Sequence, residues 1–381
     1  MYSYVVREDK GSVYHALIET LSQRTDWIRK TGDTVKANLI IAERNTIKVP
    51  FGRLGHDDGI LQLVNCYRGS GRLSRKAALI DALTSWRERS GEDISSWLPE
   101  TYIIRPKPKE EEQDPAGVVV KKRPFKVPRS DQREAFRSAY AGRRDANLGE
   151  VWIAKSTAGL KGEGILISSE CEELLAFVDR QTQAHIIQKY IEDPLLLPGR
   201  RKFDIRCWVL LDHEYNIHLM EEGVLRTCAE PYQSHDLTNL VCHLTNHCIQ
   251  EAHSKDFGKY EEGNEMFYPE FNRILEDHWQ VNFRDKLLPQ IEHIIRSCCL
   301  AVKEELSTEG LAYHSFQLFG FDFMVDSCLN MWLLEVNSAP ACAEKLLPDL
   351  IAGLMTYAIN PLFPPSQATE DDAGSRVFRK L

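Results

Sequence analysis

The run Phe319-Gly-Phe-Asp322-Phe-Met-Val-Asp-Ser-Cys-Leu-Asn-Met-Trp-Leu-Leu-Glu335-Val-Asn337-Ser-Ala-Pro340 constrains the fold more than any other segment. Two stretches rich in aromatic and aliphatic residues flank a short polar break, the pattern of a β-hairpin turning near Cys328. Asp322 then comes beside Glu335, and Asn337, two residues further on, points to the same side. Three oxygen donors gather where magnesium ions bridging the phosphates of ATP would be held. Carboxylates placed between apolar neighbours need a counter-charge, so a metal explains them better than a purely structural role.

Three other segments lead to the same chemistry. In Lys155-Ser-Thr-Ala-Gly159-Leu-Lys161-Gly162-Glu-Gly164, the glycines let backbone amides approach phosphate oxygens and the lysines add charge. The order of a Walker loop is absent and a strand follows, which predicts a flap over the triphosphate; an ordinary glycine hairpin is the plainer alternative. His185-Ile-Ile-Gln188-Lys189-Tyr190-Ile191-Glu-Asp-Pro194 is an apolar strand that breaks at a proline, as at a domain junction. Backbone groups of 189–191 suit the polar edge of adenine, with Gln188 and Lys189 left for polar contacts; a buried strand entering a turn fits equally well. In Arg201-Lys202-Phe203-Asp204-Ile205-Arg206-Cys207-Trp208, Lys202, Asp204 and Arg206 share one strand face and Phe203 and Ile205 the other. Two cations around one carboxylate can hold nucleotide and steady phosphoryl charge, or form a salt-bridged exposed face.

The chain has 381 residues, too many for one ordinary core, so two or three domains with a cleft are expected. Residues 2–6 read as a strand, 13–21 as an amphipathic helix and 39–45 as extended chain, together a small α/β unit. Residues 105–130 hold five prolines and dense charge, the composition of a mobile loop. A helix through 134–140 and strands at 151–155, 164–168 and 185–190 predict an antiparallel, helix-backed sheet. FDIRCWVLLD, NIHLM, GVLRT, FGFDFMVD and MWLLEVN supply strands of a larger sheet. A helix over 286–306 carries Leu287, Leu288, Ile291, Ile294, Ile295, Cys298 and Leu300 as a core stripe, and the end of the chain reads as a tail.

Net charge is −9, but residues 1–130 carry +6 and residues 131–381 carry −15. A basic front attracts anions; in the absence of RNP-like or finger motifs an acidic protein segment is favoured over nucleic acid, with a solvated basic face as the bland alternative. Ten cysteines without regular spacing suit buried thiols in a reducing, cytosolic compartment. Cys242-His243-Leu-Thr-Asn-His247-Cys248 offers soft ligands but lacks the spacing of a zinc site. No run of 18 uncharged apolar residues occurs, so the expectation is a chain neither secreted nor membrane-embedded.

At these residues the sequence resembles the ATP-grasp superfamily and, within it, the tubulin tyrosine ligase-like family. The similar words are RKFDIR at 201–206, CHLTNHCIQ at 242–250, EEGNEMF at 261–267, SFQLFGFDFMVD at 315–326 and LLEVNSAPAC at 333–342. VPFGRLGH at 49–56 and QLVNCYRG at 62–69 are also similar and lie outside the shared ATP machinery. The resemblance implies an α/β (α+β) ATP-grasp-like fold. Its parts would be a small N-terminal α/β domain at 1–72, a central domain at 73–192 and a larger C-terminal domain at 193–377, with ATP between the last two. Gln188, Lys189, Tyr190, Ile191, Lys202 and Asp204 would hold ATP with Lys155 on its phosphates, and His243, Thr245 and Asn246 would line the same pocket. Asp322, Glu335 and Asn337 would bind magnesium, while Arg206 and Arg226 would handle phosphate and substrate carboxylate beside Glu335. Ser338 stands where a glycine is expected after EVN.

The implied reaction is ATP-dependent ligation of L-tyrosine to the C-terminal glutamate of α-tubulin through an acyl phosphate. Alternatives are a glutamyl or glycyl ligase of the same family, or a non-catalytic tubulin-sequestering protein. The acidic tail of the α/β-tubulin dimer is the implied partner, with Arg68, Arg72, Arg75 and Lys76 as its track, in a cytoplasmic, cytoskeleton-associated monomer.

Overall fold

The computed structural model describes residues 1–8, 11–32, 34–42, 49–107, 131–146, 151–157, 164–366 and 372–381. Its strands form three sheets. The first is parallel and holds β1 (Tyr2–Glu8), β2 (Trp27–Arg29), β3 (Leu39–Ala42) and β4 (Leu63–Val64) in the order β4-β3-β1-β2. Parallel neighbours need crossovers and cover on both faces. The helix Ser12–Gln23 supplies one crossover and buries Val13, Tyr14, Leu17, Ile18 and Leu21 against Tyr4, Leu39 and Ile41. The alternate residues Val5, Ile40 and Val64 fill a second small core.

The second sheet is antiparallel, as expected, with β5 (Thr101–Ile104), β6 (Trp152–Ser156), β7 (Ile165–Ser168) and β8 (His185–Lys189) in the order β5-β8-β6-β7. Period-two alternation divides its faces. Trp152, Ala154 and Ile187 pack under the helices Arg133–Asp145 and Cys171–Asp179 with Phe136, Leu174 and Val178. Ile153, Lys155 and Gln188 face the other way, into a cavity.

The third and largest sheet is built on β9 (Arg201–Leu211), with β10 (Ile217–Met220), β11 (Val224–Pro231) and β12 (Glu265–Phe267) joined to it in the order β12-β11-β9-β10. Far along the chain, β13 (His314–Ser315) first extends the parallel sheet by pairing with β4. The chain then enters β14 (Gln317–Val325), which also pairs with β9, and returns as β15 (Met331–Asn337). The turn between them is held by Asp326, whose Oδ1 accepts from the backbone of Cys328 at 3.0 Å and of Asn330 at 2.9 Å, so the hairpin turns where expected. Phe203, Ile205, Cys207, Phe319, Phe321 and Phe323 pack on the helices Tyr268–Trp279 and Leu288–Leu306.

Four expectations change. The C-terminal residues Phe378–Lys380 are not tail but β16, antiparallel to β10. The long helix begins at Leu288 after a separate turn, Phe283–Lys286, and Leu300 is 41 % exposed. Two residues beyond Cys298 on a 3.6-residue spiral is nearly the opposite face, and Cys299 and Val302 complete the buried stripe instead. Ser338 keeps a negative φ, so its loop needs no glycine. Of the predicted loop at 105–130, residues 108–130 lie outside the described residues, as do 43–45 of the extended segment. Ile295→Ala should lower stability by about 2–5 kcal/mol, whereas Leu300→Ala should change it by less than about 0.5 kcal/mol. Urea midpoints for the two variants check this, and equal shifts would refute the placement of the stripe.

Candidate active site

Residues opposed across an antiparallel ladder project to the same face. The register pairs Arg226 with Asp204, Arg206 with Asp322 and Asp322 with Glu335, so charged groups line up across β11, β9, β14 and β15. Asp322 is 1 % exposed and accepts from Nε and Nη2 of Arg206, the second at 2.8 Å. Its Oδ2 also accepts from Nη2 of Arg226 at 2.9 Å. Arg226 in turn grips Asp204 through Nη2 and through Nε at 2.7 Å, and Thr245 Oγ1 donates to Asp204 at 2.6 Å. At the end of the row Glu335 pairs with Lys76 Nζ at 2.8 Å. Asn337 Nδ2 lies 3.3 Å from both Asp322 Oδ2 and Glu335 Oε1, so the three predicted oxygen donors do meet. As placed, the amide nitrogen of Asn337 faces the carboxylates, and ligation through Oδ1 requires a half-turn of that amide.

Burial pushes the Asp322 carboxyl up, and the guanidiniums of Arg206 and Arg226 pull against it. Burial opposes ionisation of Glu335 as well, but Lys76, Lys155 and Arg226 hold its carboxyl well below the usual carboxylate range. The lysines of the pocket behave differently. Lys155 Nζ donates to Gln188 Oε1 at 3.0 Å and Lys202 Nζ to the Tyr190 hydroxyl at 2.6 Å, neither of them a carboxylate. Burial lowers both lysines to about 8. The Tyr190 hydroxyl meets His243 Nδ1 at 2.8 Å, and His243 Nε2 meets the Asp236 carbonyl at 2.8 Å. A carbonyl only accepts, so Nε2 carries the proton, Nδ1 accepts from Tyr190, and the hydroxyl is left to accept from Lys202. Burial depresses the His243 pKa, in keeping with this neutral tautomer. A buried ammonium, Lys202, and a half-buried one, Lys155, whose hydrogen bonds among the described residues are to neutral oxygens, favour a negative ligand.

One cavity gathers these groups between the second and third sheets. Lys76, Lys155, Lys189, Lys202 and Arg226 line it against Asp204, Asp322 and Glu335, a surplus of positive charge. Gln188, Tyr190, His243, Thr245, Asn246 and Asn337 also line it, together with Ile191. At the other end Ile153, Ile165, Met324 and Leu334 form an apolar slot beside Lys189, Tyr190 and Ile191. The backbone N–H groups of Lys189 and Tyr190 are taken by the carbonyls of Glu100 and Val151, whereas that of Ile191 has no hydrogen bond among the described residues. Lys189 Nζ is itself held by the Val151 carbonyl at 2.9 Å and by Glu192.

Two predicted placements change. Arg206 does not line this cavity; it sits behind Asp322, beside Gly320 and Pro340, because both sides of its fork toward β14 are used on Asp322. Lys76, grouped with the surface arginines, is inside the cavity on Glu335, since the helix Lys76–Ser90 starts at its edge. Arg68 and Arg75 are exposed, and Arg72 pairs with Glu305 at 2.9 Å. Leu334 was not foreseen: strand alternation turns it away from the side that Glu335 occupies. A β-bulge pairs Asp322 with Glu335 but Phe323 with Leu333, and the extra residue, Leu334, turns into the cavity. Of the predicted flap, 158–163 lie outside the described residues.

Tubulin glycylase 3C of Tetrahymena thermophila is 32% identical over 253 residues, 62% of this chain and 23% of the relative. Tubulin glycylase 3D of the same organism is 33% identical over 198 residues, 50% of this chain and 19% of the relative. A human protein named "probable tubulin polyglutamylase" is 28% identical over 317 residues, 82% of this chain and 46% of the relative. The chain thus spans between about a fifth and a half of the length of these relatives. The profile of the tubulin-tyrosine ligase family matches residues 55–371, which include every strand of the cavity, and the chain belongs to that family.

Proposed function

We propose that this chain is an ATP- and magnesium-dependent carboxylate–amine ligase that adds an amino acid to tubulin. The observation that carries the reading is the pair of lysines, buried Lys202 and half-buried Lys155, without carboxylate partners among the described residues and facing the same cavity as Asp322 and Glu335. Such lysines fit the phosphates of a nucleotide. The slot of Ile153, Ile165, Met324 and Leu334 fits adenine, with the Ile191 N–H on its polar edge. Asp322, Glu335 and Asn337 would hold magnesium, which when bound offsets phosphate charge and polarises the transferred group. Arg226 lies at the phosphate end, bound to Asp204 and Asp322, and orients the carboxylate to be activated; Arg206 fixes Asp322 from behind. Closing sheet on sheet excludes water, which protects an acyl phosphate until the amine arrives. Arg68, Arg72 and Arg75 provide the track for the acidic tubulin tail, and Lys76 receives its end at the cavity.

Two readings of the amino acid stand on different observations. Tyrosine rests on the similarity of VPFGRLGH and QLVNCYRG, outside the ATP machinery. Glycine or glutamate rests on the names of the curated relatives, and the comparisons support this alternative better than tyrosine. Incubation of the chain with tubulin, ATP and one amino acid at a time, read by product mass, decides between them; no ATP-dependent mass gain with any of the three refutes the ligase reading.

Glu335→Gln should reduce turnover about a hundredfold or more, with a tubulin-binding measurement to check that the chain is folded. Undiminished turnover would remove Glu335 from the mechanism. Phosphate favours the charged form of Lys155 and Lys202, whose pKa values in the free chain are lowered to about 8. ATP affinity is therefore greatest below pH 8 and declines as pH rises through about 8, where binding takes up protons. Calorimetry in buffers of different ionisation enthalpy reads that uptake, and a flat affinity with no uptake would exclude the two lysines as phosphate ligands.

A further inference from the structure

The row of charged residues continues one strand beyond the cavity. On β12, Glu265 is directly opposite Arg226 in the antiparallel register, and Arg226 is opposite Asp204. All three therefore rise from the same face of the sheet, while Met266 turns into the helix-backed core. Glu265 is half-buried and has no hydrogen bond or ion pair among the described residues. Its cross-strand neighbour Arg226 directs Nε and Nη2 to Asp204 and Asp322, away from Glu265, and only Nη1 has no hydrogen bond among the described residues. His247, another cation on that side when protonated, lies 3.9 Å from Glu251. Burial raises the Glu265 carboxyl, and His247 and Arg226 only partly offset it. Burial is the main cause that raises the Cys342 thiol, in the segment after β15, which is also near enough to Glu265 and Arg206 to be pushed up by the first and down by the second.

A half-buried carboxylate left without a cation is the mirror image of the cavity lysines left without an anion. Lys202 lies on β9 and Lys155 faces it from β6, so Arg226 on β11, the arginine that would orient the activated carboxylate, stands between these lysines and Glu265 on β12. An amino acid joining that carboxylate must bring its nitrogen to the side of Arg226 away from the nucleotide. There it arrives as an ammonium ion, the one part of the substrates that is positively charged. From this geometry we infer that Glu265 binds the ammonium group of the incoming α-amino acid and holds its nitrogen beside the carboxylate on Arg226. The inference rests on the ligase reading above, but not on which amino acid is used, because every free α-amino acid carries this group. Glu265 thereby becomes the residue that separates nucleophiles by charge.

Hydroxylamine tests this, being an uncharged nucleophile at neutral pH that traps an activated carboxyl as a hydroxamate. With tubulin and ATP, the amino-acid product and the hydroxamate are measured for the unsubstituted chain, Glu265→Gln and Glu265→Asp. In Glu265→Gln the ratio of amino-acid product to hydroxamate should fall about tenfold or more, through a higher KM for the amino acid. Glu265→Asp, which keeps the charge, should recover part of the ratio. An unchanged ratio overturns the inference, whether both products persist or decline together. No product with either nucleophile from the unsubstituted chain overturns the ligase reading itself, and the inference with it.

Discussion

Asp322 is buried between two guanidiniums, and the rest of the site depends on that arrangement. A lone carboxylate at 1 % exposure would be untenable, and a lone arginine beside it equally so. Together, Arg206, Asp322, Arg226 and Asp204 form an alternating ladder that fastens β14 to β9 and β9 to β11 on the face opposite the aromatic core. The same strands thus satisfy two demands. Phe203, Ile205, Phe321 and Phe323 are covered by helices, whereas the charged face can be covered only by something polar. The second sheet covers it in part, and its Lys155 and Gln188 meet the ladder across an open cavity instead of sealing it.

Charge pairing inside the cavity is uneven, and the unevenness has direction. Every carboxylate of the ladder has a cation within hydrogen-bond distance, while Lys155 and Lys202 have only a neutral amide and a neutral hydroxyl. The Tyr190–His243–Asp236 chain holds Lys202 without neutralising it, because each contact in it is made by an uncharged group with its proton assigned. A carboxylate in place of that hydroxyl would have paired the ammonium permanently and weakened its pull on phosphate. Neutral second partners are what keep a buried cation available.

Much of this was legible because β-strand alternation is a short-range rule. The hairpin from 317 to 337, the opposition of Asp322 and Glu335, and the two faces of β9 follow from period two alone. What escaped the sequence came from departures from that rule or from distant chain. Leu334 enters the cavity through a bulge, which no alternation pattern announces. Lys76 reaches Glu335 from a helix that begins 259 positions earlier in the chain than the glutamate, and only the packed fold brings them together. Arg206 was assigned to the pocket because it shares a face with Asp204. Facing the same way did not guarantee access, since Asp322 stands between it and the cavity. The end of the chain read as a tail because its polar residues hide a three-residue strand, too short for any pattern to be significant.

On the ligase reading, the order of groups along the row matches the two steps of the reaction. Glu335 with Lys76 stands at one end, the lysines and Arg226 follow, and Glu265 stands beyond. A carboxylate bound at Arg226 is flanked by positive charge toward the nucleotide and by negative charge toward β12. On that reading, transfer of phosphate to that carboxylate would move negative charge toward Arg226 and away from the lysines. An ammonium held at Glu265 before that transfer would neutralise a carboxylate that the ladder leaves uncompensated; afterwards, with one proton passed to Glu265, the amine would attack the acyl phosphate, the C–N bond forming as the C–O bond to phosphate breaks and the remaining excess proton leaving with the phosphate. Nothing in the ladder has to move between the two steps. On the ligase reading, a fixed row of alternating charges would serve an anionic reaction at one end and receive the amino acid as its ammonium ion at the other, where loss of a proton to Glu265 gives the neutral amine that attacks.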